Sequence, residues 1–332
     1  MSAEQTDRTA GTDPFDRVRD FTGSLVAVIT PFNKNGDVDH GALSELIAMH
    51  ERNGTSGLFF LGVAGEGATL DDREFADFAR TVLEADHALP HFIGCTGHHT
   101  GDTVERVRIA AAHGADGAVL TVPANMGPDQ AQAARYFLDV ADASPIPVGT
   151  FNNPARLLTD LDTATLLDVL NHPRIVLHKE GSPQTGRIGE ILAARGGDVC
   201  FLADDSPDQD IICPALALGA RGIANAAGNL LPRELAALAR PWQDLSDLDG
   251  FKELYFRVRP LIAFLYSRRS PIGIKSLMNA AGLPAGHLRA PLTPMPDHET
   301  KAGLDLLRAY LRTADEGPSA ASVTPFENLD RG

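Results

Sequence analysis

The sequence has few cysteines and little positive charge. Its 332 residues include three cysteines, Cys95, Cys200 and Cys213, an odd number in or beside apolar runs. Such cysteines indicate buried, reduced thiols rather than a disulfide framework. Lysine and arginine total 29 against 44 aspartates and glutamates, which gives a net charge of −15. The charge argues against nucleic acid and anionic membranes as partners, because both bind basic surfaces.

The sequence also lacks apolar segments that would cross a membrane and motifs that bind a cofactor. No apolar run is long enough to cross a bilayer, and residues 1–13 contain no apolar segment typical of a secretory signal. We therefore expect a cytoplasmic protein. No nucleotide, haem or flavin motif is present, so no organic cofactor is expected. Asp204 and Asp205 have no accompanying histidines or carboxylates at ligand spacing, so no metal is expected.

The chain does contain a regular alternation of apolar strands and helical patterns. Hydrophobic residues make up 43% of the sequence, enough for a sizeable core. Eight strand–helix units follow one another at spacings of roughly 25–30 residues, and alternation of this kind implies a parallel sheet. Eight units in roughly 220 residues predict a closed (β/α)8 TIM barrel. An open doubly wound sheet is the alternative, but no G-x-G-x-x-G turn follows the first strand.

Apolar spacing predicts the helices and the division of the chain. Helices of the barrel are predicted over 39–53, from 71, and over 101–113, 128–142, 160–171, 184–195 and 208–218. Past residue 231 the alternation stops, and helices are predicted over 232–240, 247–268, 270–281 and 297–312. We therefore expect a disordered extension (1–22), a barrel (23–231), a C-terminal helical region packed on it (232–314) and a mobile tail (315–332).

One lysine lies at the end of a buried strand. The run Ile175–Glu180 is apolar until His178 and Lys179, and Gly181 stops it. Burying an unpaired ammonium is expensive, and burial favours the neutral form of an amine. A neutral amine can attack a ketone and form a Schiff base. The alternative is that Lys179 extends into solvent at the strand end or pairs with Glu180.

Residues that follow the strands are the candidates for the site, because TIM-barrel enzymes bind substrate at the carboxyl ends of their strands. Among them Lys179 is the only amine. The backbone N–H groups of the glycine-rich turn 63–65 suit a carboxylate, Arg156 suits a second one, and Asp204 and Asp205 suit hydroxyl or amine groups. The predicted substrate-binding positions are Val63, Ala64, Gly65, Asn125, Asn152, Arg156, Asp204, Asp205 and Ala224.

An ordered set of motifs runs from about residue 23 to residue 312. Its members are Gly62-x-x-Gly65-Glu66, Ala68-Thr69-Leu70, Asn152-x-Pro154-x-Arg156, Lys179-Glu180, Gly219-Ala220-x-Gly222 with Asn229 and Pro232, and Ser270-Pro271-Ile272-x-x-Lys275 with Pro291-Leu292-Thr293-Pro294. In this order they resemble the dihydrodipicolinate synthase / N-acetylneuraminate lyase family of class I aldolases. The resemblance implies a Schiff base on Lys179, pyruvate or another 2-oxo acid as substrate, and aldol cleavage, condensation or dehydration. It also implies a homodimer or homotetramer.

The chain departs from the family's pattern where that pattern carries hydroxyl groups. Val63 and Ala64 replace threonine or serine, Phe151 replaces a tyrosine that shuttles protons, and Asn125 replaces a tyrosine that synthases often donate across a dimer interface. Phenylalanine cannot exchange a proton, and loss of a positioned acid or base typically costs about 10²–10⁴-fold in rate. We therefore expect a specialised lyase rather than an ordinary dihydrodipicolinate synthase. The alternative is a catalytically altered member that binds a 2-oxo acid as a regulatory or binding protein.

Two hypotheses address the missing hydroxyl groups. In the first, His98 or His99, on the loop after the third strand, is the acid or base, since histidine titrates near neutral pH; the alternative is that both are solvated. In the second, the substrate's own carboxylate or amine, or water, moves the proton. His178 and Glu180 alternate with Lys179 along the strand, so both are expected to have packing roles. Glu66 is expected to hold the glycine turn.

Overall fold

Eight parallel strands form a closed barrel in chain order, with the first strand pairing with the last. The barrel is seen in a computed structural model, which describes residues 13–85 and 88–314. The strands are β1 (Gly23–Ala27), β2 (Gly57–Phe60), β3 (His91–Gly94), β4 (Gly117–Leu120), β5 (Val148–Asn152), β6 (Ile175–Glu180), β7 (Cys200–Asp204) and β8 (Gly222–Asn225). The predicted (β/α)8 barrel is confirmed.

Helices precede β1, connect the strands and form the C-terminal region. They are α1 (Pro14–Arg19), α2 (His40–Arg52), α3 (Asp72–Phe78), α4 (Thr100–Ala112), α5 (Gln130–Ala143), α6 (Thr163–Leu170), α7 (Thr185–Arg195), α8 (Ile212–Ala217), α9 (Pro232–Leu238), α10 (Asp247–Tyr266), α11 (Ile272–Ala280) and α12 (Asp297–Ala314). Aspartates cap α2, α3, α5 and α6 by accepting a backbone N–H of the first turn. The cap of α6 is Asp162, so this helix begins three residues after the predicted start at 160.

The N-terminal segment corrects one prediction. The sequence predicted disorder through residue 22, which is wrong for residues 13–22. Asp13 accepts a hydrogen bond from the backbone of Phe15, and Pro14 begins α1. Val18 and Phe21 are buried, and the Phe21 ring lies 5.8 Å from that of Phe92 on β3. Apolar packing against the barrel therefore orders this segment. Residues 1–12 and the tail 315–332 lie outside the described residues.

The C-terminal helices pack on the barrel and on one another. Helices α10, α11 and α12 are mutually in contact, and α9 contacts β1. A single apolar cluster joins Leu25 of β1 and Leu202 of β7 to Ile262 of α10 and Leu277 of α11. A continuous core of this kind makes the C-terminal region part of one folded unit with the barrel. Within the described residues, no helix is both long and apolar enough to cross a membrane.

Candidate active site

Lys179 projects from β6 into a cavity at the carboxyl end of the barrel. Its side chain is only 7% exposed, and its Nζ lies 2.8 Å from Oδ1 of Asp204, at the end of β7. The Nζ also lies 4.3 Å from the centre of the Phe151 ring, which neighbours it on β5. All three residues line a cavity of about 330 Å³. The amine is therefore sheltered, and its partner is Asp204 rather than Glu180.

The residues on either side of Lys179 face away from the cavity. The Glu180 carboxylate accepts hydrogen bonds from the backbone N–H groups of Gly181 (3.0 Å) and Ser182 (2.9 Å). It also lies 3.3 Å from Nε2 of His178, and both side chains are fully buried. These contacts hold the turn after β6 and leave Lys179 alone on the inner face, as the alternation of a strand requires.

Asn152, predicted to contact substrate, lies on this outer face and lines neither cavity. Its amide nitrogen donates to Glu180 (3.0 Å) and Asp160 (2.9 Å), and its oxygen accepts from the backbone N–H of Leu161 (3.1 Å). Asn152 lines neither cavity, because it follows the inward-facing Phe151 on β5. The next residue, Asn153, follows the same strand and lines the cavity, although it was not among the predicted substrate-binding positions.

Asp205, also predicted to contact substrate, does not line the cavity that Asp204 lines. Its carboxylate accepts hydrogen bonds from the backbone N–H groups of Ala226 (3.1 Å) and Ala227 (2.9 Å). The Tyr266 hydroxyl, at the end of α10, also donates to it. Burial, followed by the charge of Asp204, raises the pKa of Asp205 to about 6. Burial and the two aspartates raise the pKa of Tyr266 well above its usual value.

Tyr266 is the functional candidate that the sequence analysis missed. It lines the same cavity as Lys179, together with residues 267–270 of the turn that follows α10. The only signal for it was position, because Tyr266 lies in the last turn of the helix predicted over 247–268, just before the motif Ser270-Pro271-Ile272. The spacing of apolar residues does not distinguish a tyrosine that lines a cavity from one that is packed between helices.

A second cavity, of about 400 Å³, adjoins the first across a shared wall. The residues that line both are Phe59, Val63, Phe151, Asn153, Arg156, Arg269 and Ser270. His98 and Asn125 line only the second cavity, and Asn125 takes a left-handed backbone conformation with φ of 67°. Asparagine tolerates that conformation better than most side chains. Both therefore lie apart from Lys179.

His99, a predicted acid or base, and Ala224, a predicted substrate contact, line neither cavity. His99 is the N-cap of α4, where its Nδ1 accepts from the backbone N–H of Asp102 at 3.3 Å and its Nε2 lies 3.1 Å from the carboxylate of the same residue. The capping bond fixes the imidazole at the helix start. Ala224 is buried in β8 between β1 and β7, and Ala226, two residues further along, lines the first cavity instead.

The glycine-rich turn after β2 offers backbone N–H groups beside the amine. Val63 and Ala64 line the first cavity, whereas Gly65 does not. Within the part of the chain that the structure describes, the N–H groups of residues 63–65 make no hydrogen bond. The turn is tight, because a Cβ on Gly67 would lie 2.0 Å from the carbonyl oxygen of Leu61. The predicted carboxylate site therefore has free donors, which come from the backbone rather than from hydroxyl groups.

Two arginines line the mouth of the cavities. Arg156 and Arg269 line both cavities, and neither has an ion-pair partner among residues 13–85 and 88–314. Burial, followed by the charge of Arg269, lowers the pKa of Arg156. A guanidinium that is partly desolvated beside a like charge attracts an anion. Arg156 therefore lines both cavities, and its role as a carboxylate ligand stays a prediction.

Glu66 ties this turn to the C-terminal region. Its carboxylate lies 2.5 Å from Nζ of Lys275 on α11 and accepts from the backbone N–H of Arg289 at 3.0 Å. The Lys275 ammonium also donates to the carbonyl oxygen of His287 at 2.7 Å. Glu66 itself has a left-handed backbone, with φ of 52°. The ion pair therefore fixes the turn that lines the cavity through Val63 and Ala64.

A parallel eightfold barrel with a buried amine beside a carboxylate at its mouth is the architecture of a class I aldolase-type lyase. The model of the Dihydrodipicolinate synthetase family matches residues 20–309, and the chain belongs to this family. Over 295 residues the chain is 33% identical to the 4-hydroxy-tetrahydrodipicolinate synthase of Aquifex aeolicus, covering 87% of this chain and 98% of that one.

Solved structures agree with this assignment. The crystal structure of dihydrodipicolinate synthase from Aquifex aeolicus superposes with a TM-score of 0.80 at 30% identity, covering 88% of this chain and 98% of the other. The 4-hydroxy-tetrahydrodipicolinate synthase of Methylacidiphilum fumariolicum gives 0.82 at 26% identity, with 89% and 98% covered. The predicted family and enzyme class are confirmed.

Proposed function

We propose that this protein is a lyase whose Lys179 forms a Schiff base with the ketone of pyruvate or another 2-oxo acid. The observation that carries the proposal is the position of the amine, buried in a cavity and 2.8 Å from a carboxylate. The imine withdraws electrons from the neighbouring carbon and stabilises the enamine formed there. Aldol addition, retro-aldol cleavage and dehydration all use this intermediate.

Asp204 is the group placed to prepare the amine. Its carboxylate accepts a proton from the Lys179 ammonium, and the freed electron pair on Nζ attacks the carbonyl carbon. The carbonyl oxygen takes up the proton held by Asp204 and then a second proton from the nitrogen, and it leaves as water to give the protonated imine. The free N–H groups of residues 63–65 bind the carboxylate next to that carbonyl.

We further propose that the enzyme is a specialised member and not an ordinary dihydrodipicolinate synthase. Phe151 places an aromatic ring 4.3 Å from Nζ, and the ring offers no proton. Val63 and Ala64 provide no hydroxyl in the turn that faces Lys179. Arg156 and Arg269 line the cavity and form no ion pair among the described residues, which supports a substrate with a second anionic group.

A 2-oxo-acid-binding or regulatory protein is the alternative function. The absence of the tyrosine at Phe151 favours it, because a barrel can form the imine and still lack the proton transfer that completes turnover. Formation of an adduct together with failure to turn over any 2-oxo acid would support this alternative.

Reductive trapping tests the Schiff base. We expect pyruvate and borohydride to add the mass of one reduced pyruvyl group, located on Lys179 by peptide mapping. Lys179→Ala is expected to abolish the adduct. Lys252→Ala, which changes an exposed side chain on α10, is expected to leave the adduct unchanged. Absence of an adduct with pyruvate and a panel of 2-oxo acids would refute the proposed chemistry.

We expect two or four copies of the chain to assemble, with a contact at the rim of the second cavity. Met126 and Leu158 are large apolar side chains that are 66% and 74% exposed, and they follow Asn125 and Leu157, which line that cavity. Gly127 lies close to Leu158, since a Cβ built at this glycine would be 3.6 Å from Cβ of Leu158. Apolar exposure next to a binding site indicates a partner surface. Light scattering is expected to give an oligomer that Leu158→Asp dissociates; a monomeric parent protein would contradict this.

A further inference from the structure

We infer that Tyr266, together with the carboxylate of Asp205, moves the proton at the carbon next to the Lys179 imine. This inference rests on the proposed Schiff base and adds the acid/base group that Phe151 does not supply. The two residues, called here the Tyr266–Asp205 pair, come from α10 and from the turn after β7. Neither was assigned this role from the sequence.

The geometry places one end of the pair in the cavity and the other behind its wall. Tyr266 lines the cavity that contains Lys179, and its hydroxyl donates to Oδ1 of Asp205. Asp205 is held by backbone N–H groups of Ala226 and Ala227, so the carboxylate is fixed in orientation. A tyrosine that lines the cavity and donates its hydroxyl to a fixed carboxylate suits a two-step proton relay.

The chemistry balances without another reactant. The phenol oxygen takes a proton from the carbon next to the imine carbon, while the phenol's own proton passes to Asp205. The electrons of the broken C–H bond form the C=C bond of the enamine, and the C=N electrons pass to Nζ of Lys179. Reversal of the same transfers returns the proton. Because burial raises the pKa of Asp205 to about 6, this carboxylate is a stronger base than an exposed one while it remains ionised at neutral pH.

The other described candidates are less suited to this transfer. Asp204 lies against the nitrogen, where it serves the amine. Asp208 lines the same cavity but is exposed at its mouth. His98 lines only the second cavity, and His99 caps α4. The Tyr266–Asp205 pair therefore stands as the buried relay beside the amine.

Exchange of the pyruvate methyl protons tests the inference directly. In deuterium oxide, the wild-type protein is expected to replace these protons through the enamine, which NMR follows as loss of the methyl signal. Tyr266→Phe removes one oxygen and is expected to slow exchange by about 10²–10⁴-fold. The adduct trapped by borohydride should still form, because Lys179 and Asp204 are intact.

The matched control lies on the same helix. Tyr255 donates its hydroxyl to Asp210 and lines neither cavity, so Tyr255→Phe removes an equivalent tyrosine–aspartate contact away from Lys179. It should exchange methyl protons at the wild-type rate. A second variant, Asp205→Asn, keeps a carbonyl oxygen for the backbone donors but cannot take the proton, and it should also lose exchange while retaining the adduct.

The readouts separate failure of this inference from failure of the Schiff base. If the wild-type protein forms no adduct, the proposed function is wrong, and the proton relay is refuted as well. If the adduct forms and Tyr266→Phe or Asp205→Asn exchanges methyl protons at the wild-type rate, the Schiff base stands and the relay is refuted. Loss of exchange in Tyr255→Phe to the same extent would also refute it.

Discussion

The buried ion pair between Glu66 and Lys275 gives a prediction whose size follows from the structure. Their side chains are 2% and 1% exposed, and Nζ lies 2.5 Å from Oε1. Lys275→Met keeps the length of the side chain but leaves the Glu66 carboxylate with one backbone donor and the His287 carbonyl without the ammonium. Removal of one partner of a buried pair costs about 3–5 kcal/mol. We therefore expect Lys275→Met to lower the free energy of unfolding by that amount.

The measurement is urea unfolding followed by circular dichroism at neutral pH. The matched control is Arg80→Met, whose ion pair with Asp77 is more than half exposed on both sides and is expected to contribute less than about 1 kcal/mol. The double variant Glu66→Gln/Lys275→Met should be more stable than Lys275→Met, because it leaves no unpaired buried charge. A loss in Lys275→Met no greater than in Arg80→Met, or a double variant less stable than that single one, would refute the reasoning.

Three further predictions concern the thiols and the site. Burial raises the pKa of Cys200 to about 12 and raises the pKa of Cys95 above its usual range. Iodoacetamide is therefore expected to modify only Cys213 in the folded protein and all three thiols in denaturant, as counted by mass spectrometry. Fast labelling of Cys95 or Cys200 would contradict this. Asp204→Asn should slow formation of the trapped adduct by about 10²-fold or more, and an unchanged rate would exclude it as the base. Methyl exchange should fall about tenfold per pH unit below pH 6, because the raised pKa leaves Asp205 protonated there and unable to accept a proton, and a flat profile to pH 5 would contradict this role.

The barrel was predictable because its signal is repeated along the chain. Each strand is a short apolar run buried on both faces, and each connecting helix has an apolar stripe, so an error in one element leaves the alternation intact. Lys179 was predictable for a different reason. A charged group at the end of a buried strand has no packing explanation, and its 7% exposure shows that the expected shelter exists.

The orientation of neighbouring polar residues could not be predicted with the same success. Asn152 and Asn153 follow each other at the end of β5, yet only Asn153 lines a cavity. Asp204 and Asp205 differ in the same way, one beside the amine and the other behind the wall. Side chains on a strand alternate, so a shift of one residue exchanges the two faces. The point at which alternation gives way to a turn is set by tertiary hydrogen bonds that composition does not show.

The C-terminal region contributes residues to the site. The boundary predicted at residue 231 therefore divides the chain in sequence but does not separate the site from the C-terminal helices. Tyr266 and the turn at 267–270 form one wall of the cavity around Lys179, and Lys275 fixes the turn that offers free N–H groups to it. The barrel supplies the amine of Lys179 and the carboxylate of Asp204. Helix α10 supplies the Tyr266 hydroxyl, which we infer takes the place of the hydroxyl group that Phe151 lacks. Substitution at one barrel position therefore leaves proton transfer possible from another element of the same fold, because the chemistry requires an acid or base at the right place rather than on a particular strand.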